Sequence, residues 1–444
     1  MSLRSLASSL LPAPGPARGL ALAQLVNSVG DGAFYVCSAL YFSRVVGLSG
    51  AQIGLGLTLA WAVGAVAGVP LGHLADRRGA RGAAVLLAGA TALSVAALLL
   101  VRSYAWFLPV ACAYATAQCG LAAARQSLLA GLVEREARTG ALAHLQSAAN
   151  AGLAVGAALG AVALAAGTPA AYLTVLGVDA AAFAGCGLLL WRLPAPVRDA
   201  VPAPGRGGGL SVLRDRPYAL VTFLNMVMLL RMPLISLALP LWIAERTAAP
   251  GWTVSVLLVL NTGAVMLFQV RTAAAVTGLV SAVRTVWSGG ALMLASCAVF
   301  ALSGAVRGAV WGAVALLVGS VLLVWGEMRQ SAGAWQIAFD LAPAGRQGQY
   351  QGFFGTGVPV ARMVGPVLLT ALVLGGGVAG WLVLGGLFLV AGVAMRPAVR
   401  WAEERGRVAG NAPRSVAGDA RRSVARNARR STGHSAGRSG LLRG

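Results

Sequence analysis

Some ionisable side chains stand inside long apolar runs, where an uncompensated charge is costly and function is the first thing to look for. Asp31 lies in NSVGDGAF, with Gly30 and Gly32 leaving room beside it; Arg125 precedes Gln126; Asp179, Arg231 and Glu327 come later. A carboxyl at the depth of Asp31 either exchanges a proton or serves as a hydrogen-bonded structural acid. Arg125 is close to the end of its run, where a long side chain can snorkel to water. Arg231 is at the centre of its own and needs a cavity or a partner acid. Asp179 and Glu327 can meet cargo or simply pair between helices. Residues 72–82, GHLADRRGARG, are of another kind: one acid and several arginines between glycines, set between two apolar stretches.

Other chemistries are excluded by what the chain lacks. His73 and His144 fall at the ends of runs and His434 near the terminus, with no His/Asp/Glu cluster at metal spacing, no phosphate-cradling glycine loop and no nucleophile paired with a base. An enzyme and an ATP-driven pump are therefore disfavoured, and no cofactor is expected. Cys37, Cys112, Cys119, Cys186 and Cys297 all lie in apolar runs and read as small packing residues.

The elements that must carry these residues follow from composition. Of the 444 residues, 58% are hydrophobic and 11% charged, with a mean hydropathy of +0.76, which is the usage of a chain built for lipid. Crossing ~30 Å of hydrocarbon at ~1.5 Å per residue takes roughly 20 apolar residues. Twelve runs satisfy this, at about 20–42, 51–72, 82–101, 105–130, 141–166, 170–191, 219–243, 253–271, 282–303, 308–328, 353–374 and 378–396. They are continuous rather than alternating, so they predict helices and not barrel strands. Pro12, Pro14 and Pro16 interrupt any apolar core before the first run, so residues 1–19 do not read as a cleaved signal.

Arginine supplies every basic residue other than histidine, which fits a GC-rich coding bias. One alternate set of loops holds Arg77, Arg78, Arg81, Arg135, Arg138, Arg192, Arg198, Arg206, Arg214, Arg216, Arg271, Arg284, Arg329 and Arg346; the other holds Arg44, Arg102, Arg246 and Arg307. By the positive-inside rule the first set, and with it both termini, is cytoplasmic, which agrees with an even number of spans. Residues 192–218, rich in Pro and Gly, divide the spans into 20–191 and 219–396. Arg125-Gln126-Ser127 at the end of span four and Arg329-Gln330-Ser331 after span ten hint that the halves are duplicates, and duplicated halves rock about a site at their interface. Residues 397–444 carry eleven arginines against three acids. That composition predicts a disordered tail drawn to anionic lipid. Without interleaved aromatics it gives no reason to expect nucleic acid.

GHLADRRGAR resembles the signature between helices two and three of the major facilitator superfamily, matching at Gly72, Leu74, Asp76, Arg77, Gly79 and Arg81, with Ala80 where a basic residue is common. The resemblance extends over about residues 18–397 and is to twelve-helix bacterial, actinobacterial-type proton-coupled efflux permeases. It implies an all-helical fold of two six-helix bundles and alternating access, with those six residues forming a cytoplasmic gate. Physically, Asp76 suits the amides of a nearby helix N-terminus, whose partial positive charge attracts an anion. The second-half loop, between Gln269 and Arg284, has no acid, so any such gate is asymmetric. The resemblance further implies proton or cation coupling at Asp31 and a coupling or gating role for Arg125. Gly152, Gly156 and Gly160 make a small-residue face for close helix packing. They resemble the antiporter motif of exporters, yet Ala157 stands where that motif has proline, and Gly365-Pro366 supplies such a pair in span eleven.

The expectation is thus a plasma-membrane transporter, monomeric, driven by the proton gradient, exporting a small amphipathic molecule. An uptake permease and a lipid-handling protein are the alternatives.

Overall fold

The computed structural model describes residues 11–196, 210–306 and 308–435, with side chains described as far as 405. The described residues form twelve membrane-length helical segments. We number them α1 (Pro16–Leu40), α2 (Gly50–Arg78), α3 (Ala80–Leu98), α4 (Tyr104–Leu132), α5 (Arg138–Ala166), α6 (Pro169–Trp191), α7 (Arg216–Arg246), α8 (Trp252–Ala274), α9 (Leu279–Ser303), α10 (Ala309–Leu341), α11 (Gln347–Gly355 continuing as Gly357–Leu369) and α12 (Gly376–Ser435).

Their starts are written in the sequence. Ser49 and Gln52 close a capping box on α2, Thr168 caps α6, and Asp215 accepts from the Tyr218 amide at the head of α7 with Pro217 beside it. Proline sets the interruptions. It cannot donate to the carbonyl four residues earlier, and α7 breaks at Leu229, four before Pro233, while α11 breaks at Gly355, four before Pro359. Both helices then pass through a π-turn, Leu234–Ala238 in α7 and Thr370–Gly375 in α11.

Three expectations need correction. The motif at 72–82 is not a loop: α2 runs on to Arg78, and the whole turn is Gly79, at φ +109, a conformation that favours glycine. Span ten does not end at 328 but continues to Leu341, which places Arg329, Gln330 and Ser331 inside α10. Hydropathy ended these runs at the first charges, whereas a helix continues while its polar residues find partners. The last helix likewise passes 396, where the composition changes. The chain is helical to Ser435, where composition predicts a disordered tail, while the side chains beyond 405, and with them the expected contact with anionic lipid, lie outside the described residues.

The halves repeat. In the first, α1 packs on α5 and α6, α2 on α4, and α3 on α4 and α6; in the second, α7 packs on α11 and α12, α8 on α10, and α9 on α10 and α12. Each pair becomes its counterpart on adding six. Asp31 and Arg231 are each the sixteenth residue of their helices, counted from Pro16 and Arg216, so an acid and a base occupy equivalent positions. Between the halves α2 meets α11 and α5 meets α8, again a pair related by the repeat.

The glycine stripe on α5 packs against α1. A Cβ on Gly156 would sit 2.8 Å from the Ala33 nitrogen and against the Val29 carbonyl, and one on Gly152 would lie 2.6 Å from the Leu25 carbonyl oxygen. Gly32 faces back onto Leu153, and the Cys37 thiol donates to the Gly160 carbonyl at 3.2 Å. Overpacking such a contact costs about 1–3 kcal/mol or more. Gly156→Leu is therefore expected to lower the midpoint temperature for loss of the monodisperse peak by several degrees, read by heating the detergent-solubilised protein before size exclusion.

Candidate functional site

Buried polar side chains gather in three places: where the two halves meet at the arginine-rich end of the bundle, at mid-depth beside Asp31, and inside the second half around Arg231.

At the arginine-rich end Asp76 reaches across the halves. One carboxylate oxygen accepts from the Gly348 amide at 2.7 Å and the Ser127 hydroxyl at 2.9 Å, and the other accepts from the Gln349 amide at 2.9 Å. Both amides belong to the first turn of α11, whose N–H groups have no partner within the helix and carry its positive dipole end. Close approach is what brings them into range. A Cβ on Gly72 would collide with the Gly348 carbonyl, one on Gly348 would lie 2.7 Å from the Asp76 carboxylate, and one on Gly352 would lie 2.5 Å from the Gly68 carbonyl oxygen. Two glycines four apart on each helix thus let the backbones touch. The linker holds the same turn from behind: Arg346 donates to the Ser211 hydroxyl at 2.7 Å, that hydroxyl donates to the Gln349 side chain at 3.1 Å, and the Tyr350 hydroxyl donates to Asp215 at 2.9 Å.

Of the expected gate residues, Gly72 and Asp76 are in this clasp and Gly79 makes the turn. Leu74 and Arg77 are exposed on the same end. Arg81 is not part of a contact between halves: its guanidinium donates to the Leu193 carbonyl at 2.9 Å, tying the start of α3 to the chain leaving α6. A second contact between the halves, where α5 and the turn before it meet the end of α10, uses different chemistry. Arg135 and Asp340 form an ion pair at 2.8 Å, the Thr139 hydroxyl donates to Gln336, and Arg138 lies 5.8 Å over the Phe339 ring. The closure is asymmetric in its groups, as the missing acid near Gln269 implies; Gln269 is buried instead and donates to the Met328 carbonyl at 3.3 Å. The Arg135 side chain is 60% exposed, and the nearly buried Asp340 keeps a second donor in Gln336, so losing the ion pair costs only about 1 kcal/mol. Arg135→Ala is accordingly expected to leave the transport rate within about twofold of wild type, measured beside Asp76 variants in the same vesicles.

At mid-depth Asp31 accepts from Asn27 at 2.8 Å and from Gln118 at 3.2 Å, and Gln118 also donates to the Tyr114 hydroxyl at 2.9 Å. Asp179 is fully buried against Gly30 of α1, and neither of its oxygens has a hydrogen-bond partner among the described residues. A second half-chain cation faces this group. The Arg362 guanidinium of α11 lies 5.7 Å over the Tyr35 ring and 5.1 Å over the Trp61 ring, so α1, α2 and α11 meet through it. Tyr35 is 46% exposed although it sits deep in α1, which marks an accessible space at this level. Closer to the arginine-rich end, Gln24, Arg125, Gln126, Gln146 and Trp335 line a cavity of about 220 Å³. One terminal nitrogen of Arg125 and the Gln126 amide oxygen there are buried without partners among the described residues. Arg125 therefore points between the halves rather than snorkelling out.

Inside the second half, Arg231 donates to Ser331 at 2.8 Å and pairs with Glu327 at 3.6 Å, while Asn261 donates to Glu327 at 3.2 Å. Gln330 donates to Asn225 at 2.8 Å and Arg329 to Ser288 at 2.7 Å. The two Arg-Gln-Ser triplets are used differently: Ser127 donates to Asp76 in the clasp, and Ser331 accepts from Arg231 inside the second half.

The structure brings Asp31 and Asp179, singled out separately in the sequence, into one neighbourhood and Arg231 and Glu327 into another, but sequence reasoning passes over Arg362. The signal is present, an arginine in the apolar run 353–374, and the same test that singles out Asp31 would find it. Gly68, Gly348 and Gly352 are legible only when the four-residue spacing on two distant helices is put together. Among the described residues no cluster of His, Cys, Asp and Glu is arranged to hold a metal ion.

Two six-helix bundles that repeat one another, clasped at one end and enclosing charged groups between and within them, make an all-helical membrane fold of two related halves. The family model described as Major Facilitator Superfamily matches residues 20–366, and the chain belongs to that family. Among solved structures, the human organic anion transporter MFSD10 is similar at 17% identity and a TM-score of 0.64, covering 85% of this chain and 98% of its own. A bacterial homologue of the iron transporter ferroportin in its outward-facing state is similar at 14% identity and 0.63, covering 88% and 99%. The Escherichia coli fucose:proton symporter FucP is similar at 14% and 0.65, covering 86% and 98%. No curated protein sequence matches the chain.

Proposed function

We propose that the protein is a proton-coupled secondary transporter that exports a small amphipathic compound across the plasma membrane by alternating access. The observation that carries this reading is the pairing of a clasp and a charged centre. Asp76 holds α11 at one end, while at mid-depth the carboxyls of Asp31 and Asp179 share a neighbourhood with Arg362 from the other half. A group that releases Arg362 from this neighbourhood on binding a proton or cargo gives the halves a reason to rock. Arginine enrichment supports a cytoplasmic position for the clasped end and both termini by the positive-inside rule. On that orientation the described state is open outward. Tyr35, Trp61 and Tyr114 favour a cargo with a flat apolar part, and Arg362 favours one that also carries an acceptor or negative group.

The test is transport into inverted vesicles and proteoliposomes over a compound panel, with and without an imposed pH gradient. Export by exchange with protons predicts accumulation in inverted vesicles with an acid interior, and its collapse when the gradient is dissipated. Accumulation only in right-side-out vesicles would make the protein an uptake permease. Movement of lipid but of no soluble compound would make it a lipid-handling protein.

A further inference from the structure

A cavity of about 470 Å³ lies outside the central pathway, between α9 and the arginine-rich end of α12. Its floor is the point where the helices touch: a Cβ on Gly392 would sit 3.3 Å from both the Trp287 Cα and the Val286 carbonyl oxygen. Above this floor its walls are of two kinds. Leu279, Val280, Val283 and Val393 give an apolar slot. Arg284 from α9, with Arg396 and Arg400 one turn apart on α12, gives three cations at its mouth against the single acid Glu403.

Three features fix what this cavity is shaped to receive. Arg284 is in the second turn of α9 and Arg396 and Arg400 stand where the apolar run of α12 ends, so the cations are at the height of lipid headgroups. Trp287 is half exposed on the same wall, the residue and place of a membrane-interface anchor. None of the three arginines is in an ion pair among the described residues, where the pairs are Arg135–Asp340 and Arg231–Glu327. Basic pockets between membrane helices at headgroup height are the sites that hold anionic lipids.

We infer that the cleft between α9 and α12 is a binding site for one anionic phospholipid of the adjoining leaflet, its phosphate held by Arg284, Arg396 and Arg400 and an acyl chain lying along Val280, Val283 and Val393. A free phosphate would gain nothing from the apolar slot, and a zwitterionic lipid would bring an ammonium group to three cations. The site is built from residues no later than Glu403 and does not depend on which compound the protein moves.

Native mass spectrometry of the full chain in detergent tests this, with dioleoylphosphatidylglycerol and dioleoylphosphatidylcholine as probes. Wild type is expected to retain one phosphatidylglycerol in preference to phosphatidylcholine. The triple variant R284Q/R396Q/R400Q should bind it at least about tenfold more weakly, since each arginine near the membrane surface contributes several-fold. Arg→Lys at the same positions should restore binding, which separates lost charge from damaged folding. Equal retention by wild type and the Gln variant would overturn the assignment. So would loss of the lipid when Arg421, Arg422, Arg426, Arg429 and Arg430 are neutralised in the full chain instead, or its displacement by glycerol 3-phosphate at matching concentration.

Discussion

Asp31→Asn is expected to end proton-driven accumulation while leaving exchange of cargo for cargo intact. A gradient of one pH unit is worth about 1.4 kcal/mol and sustains about a tenfold concentration ratio when one proton is exchanged for one cargo molecule. In the variant that ratio should fall to about 1. The substitution is close to isosteric. Asn27 and Gln118 both donate to the carboxylate, so an amide keeps one acceptor for them and loses the other, and the helix packing around Gly30 and Gly32 is unchanged. Proteoliposome uptake with and without the gradient reads the ratio, and counterflow reads the exchange. Asp179→Asn is the informative companion, because that carboxyl has no hydrogen-bond partner to lose. If Asp179→Asn uncouples transport and Asp31→Asn does not, the proton site is on α6.

The second large effect is expected at the clasp. Asp76→Asn replaces a carboxylate that accepts three hydrogen bonds by a group with one acceptor and an NH2 facing an amide N–H. Bonds to a charged acceptor contribute about 1.5–3 kcal/mol each when sheltered. Asp76 is only half-buried, so the loss in the clasped state is about 2–4 kcal/mol, which shifts its population relative to the opened state by about 30- to 1,000-fold. Steady transport should fall accordingly, to a few per cent of wild type, in the vesicles where Arg135→Ala is nearly silent. Gly348→Val should mimic it from the other side, because its Cβ would press on the Gly72 carbonyl and on the Asp76 carboxylate together.

How much of this is legible in the sequence depends on the range of the physics involved. Membrane crossing is a local matter of run length, so twelve segments emerge, with ends that fail where a helix carries its charges onward, Arg77 exposed at the end of α2 and Arg329 bonded to Ser288 inside α10. The demand of Asp76 for amides at a helix N-terminus is also local to its chemistry, but the identity of that terminus, α11 at Gly348, is not, since 272 residues separate donor and acceptor. The glycines of α5 announce a close contact without naming α1. Arg81 fits the motif by spacing alone and is drawn to the Leu193 carbonyl because α3 starts beside the end of α6. Arg362 is missed for a different reason: the two prolines of its run draw attention to the helix break, and the cation between them gains its meaning only when Tyr35 and Trp61 arrive from the other half.

If the Asp76 carboxylate holds the arginine-rich end shut, releasing it exchanges access from one side to the other. Spin labels at Arg78→Cys and Ala344→Cys, in a chain with its five native cysteines replaced, report the separation of the halves at that end; labels at Ala51→Cys and Ala371→Cys report the other. Double electron–electron resonance on the wild-type background should show one short distance at the arginine-rich end. On Asp76→Asn a longer distance should dominate there, with a matching shortening at the opposite end. Unchanged distance distributions in the variant would contradict the account.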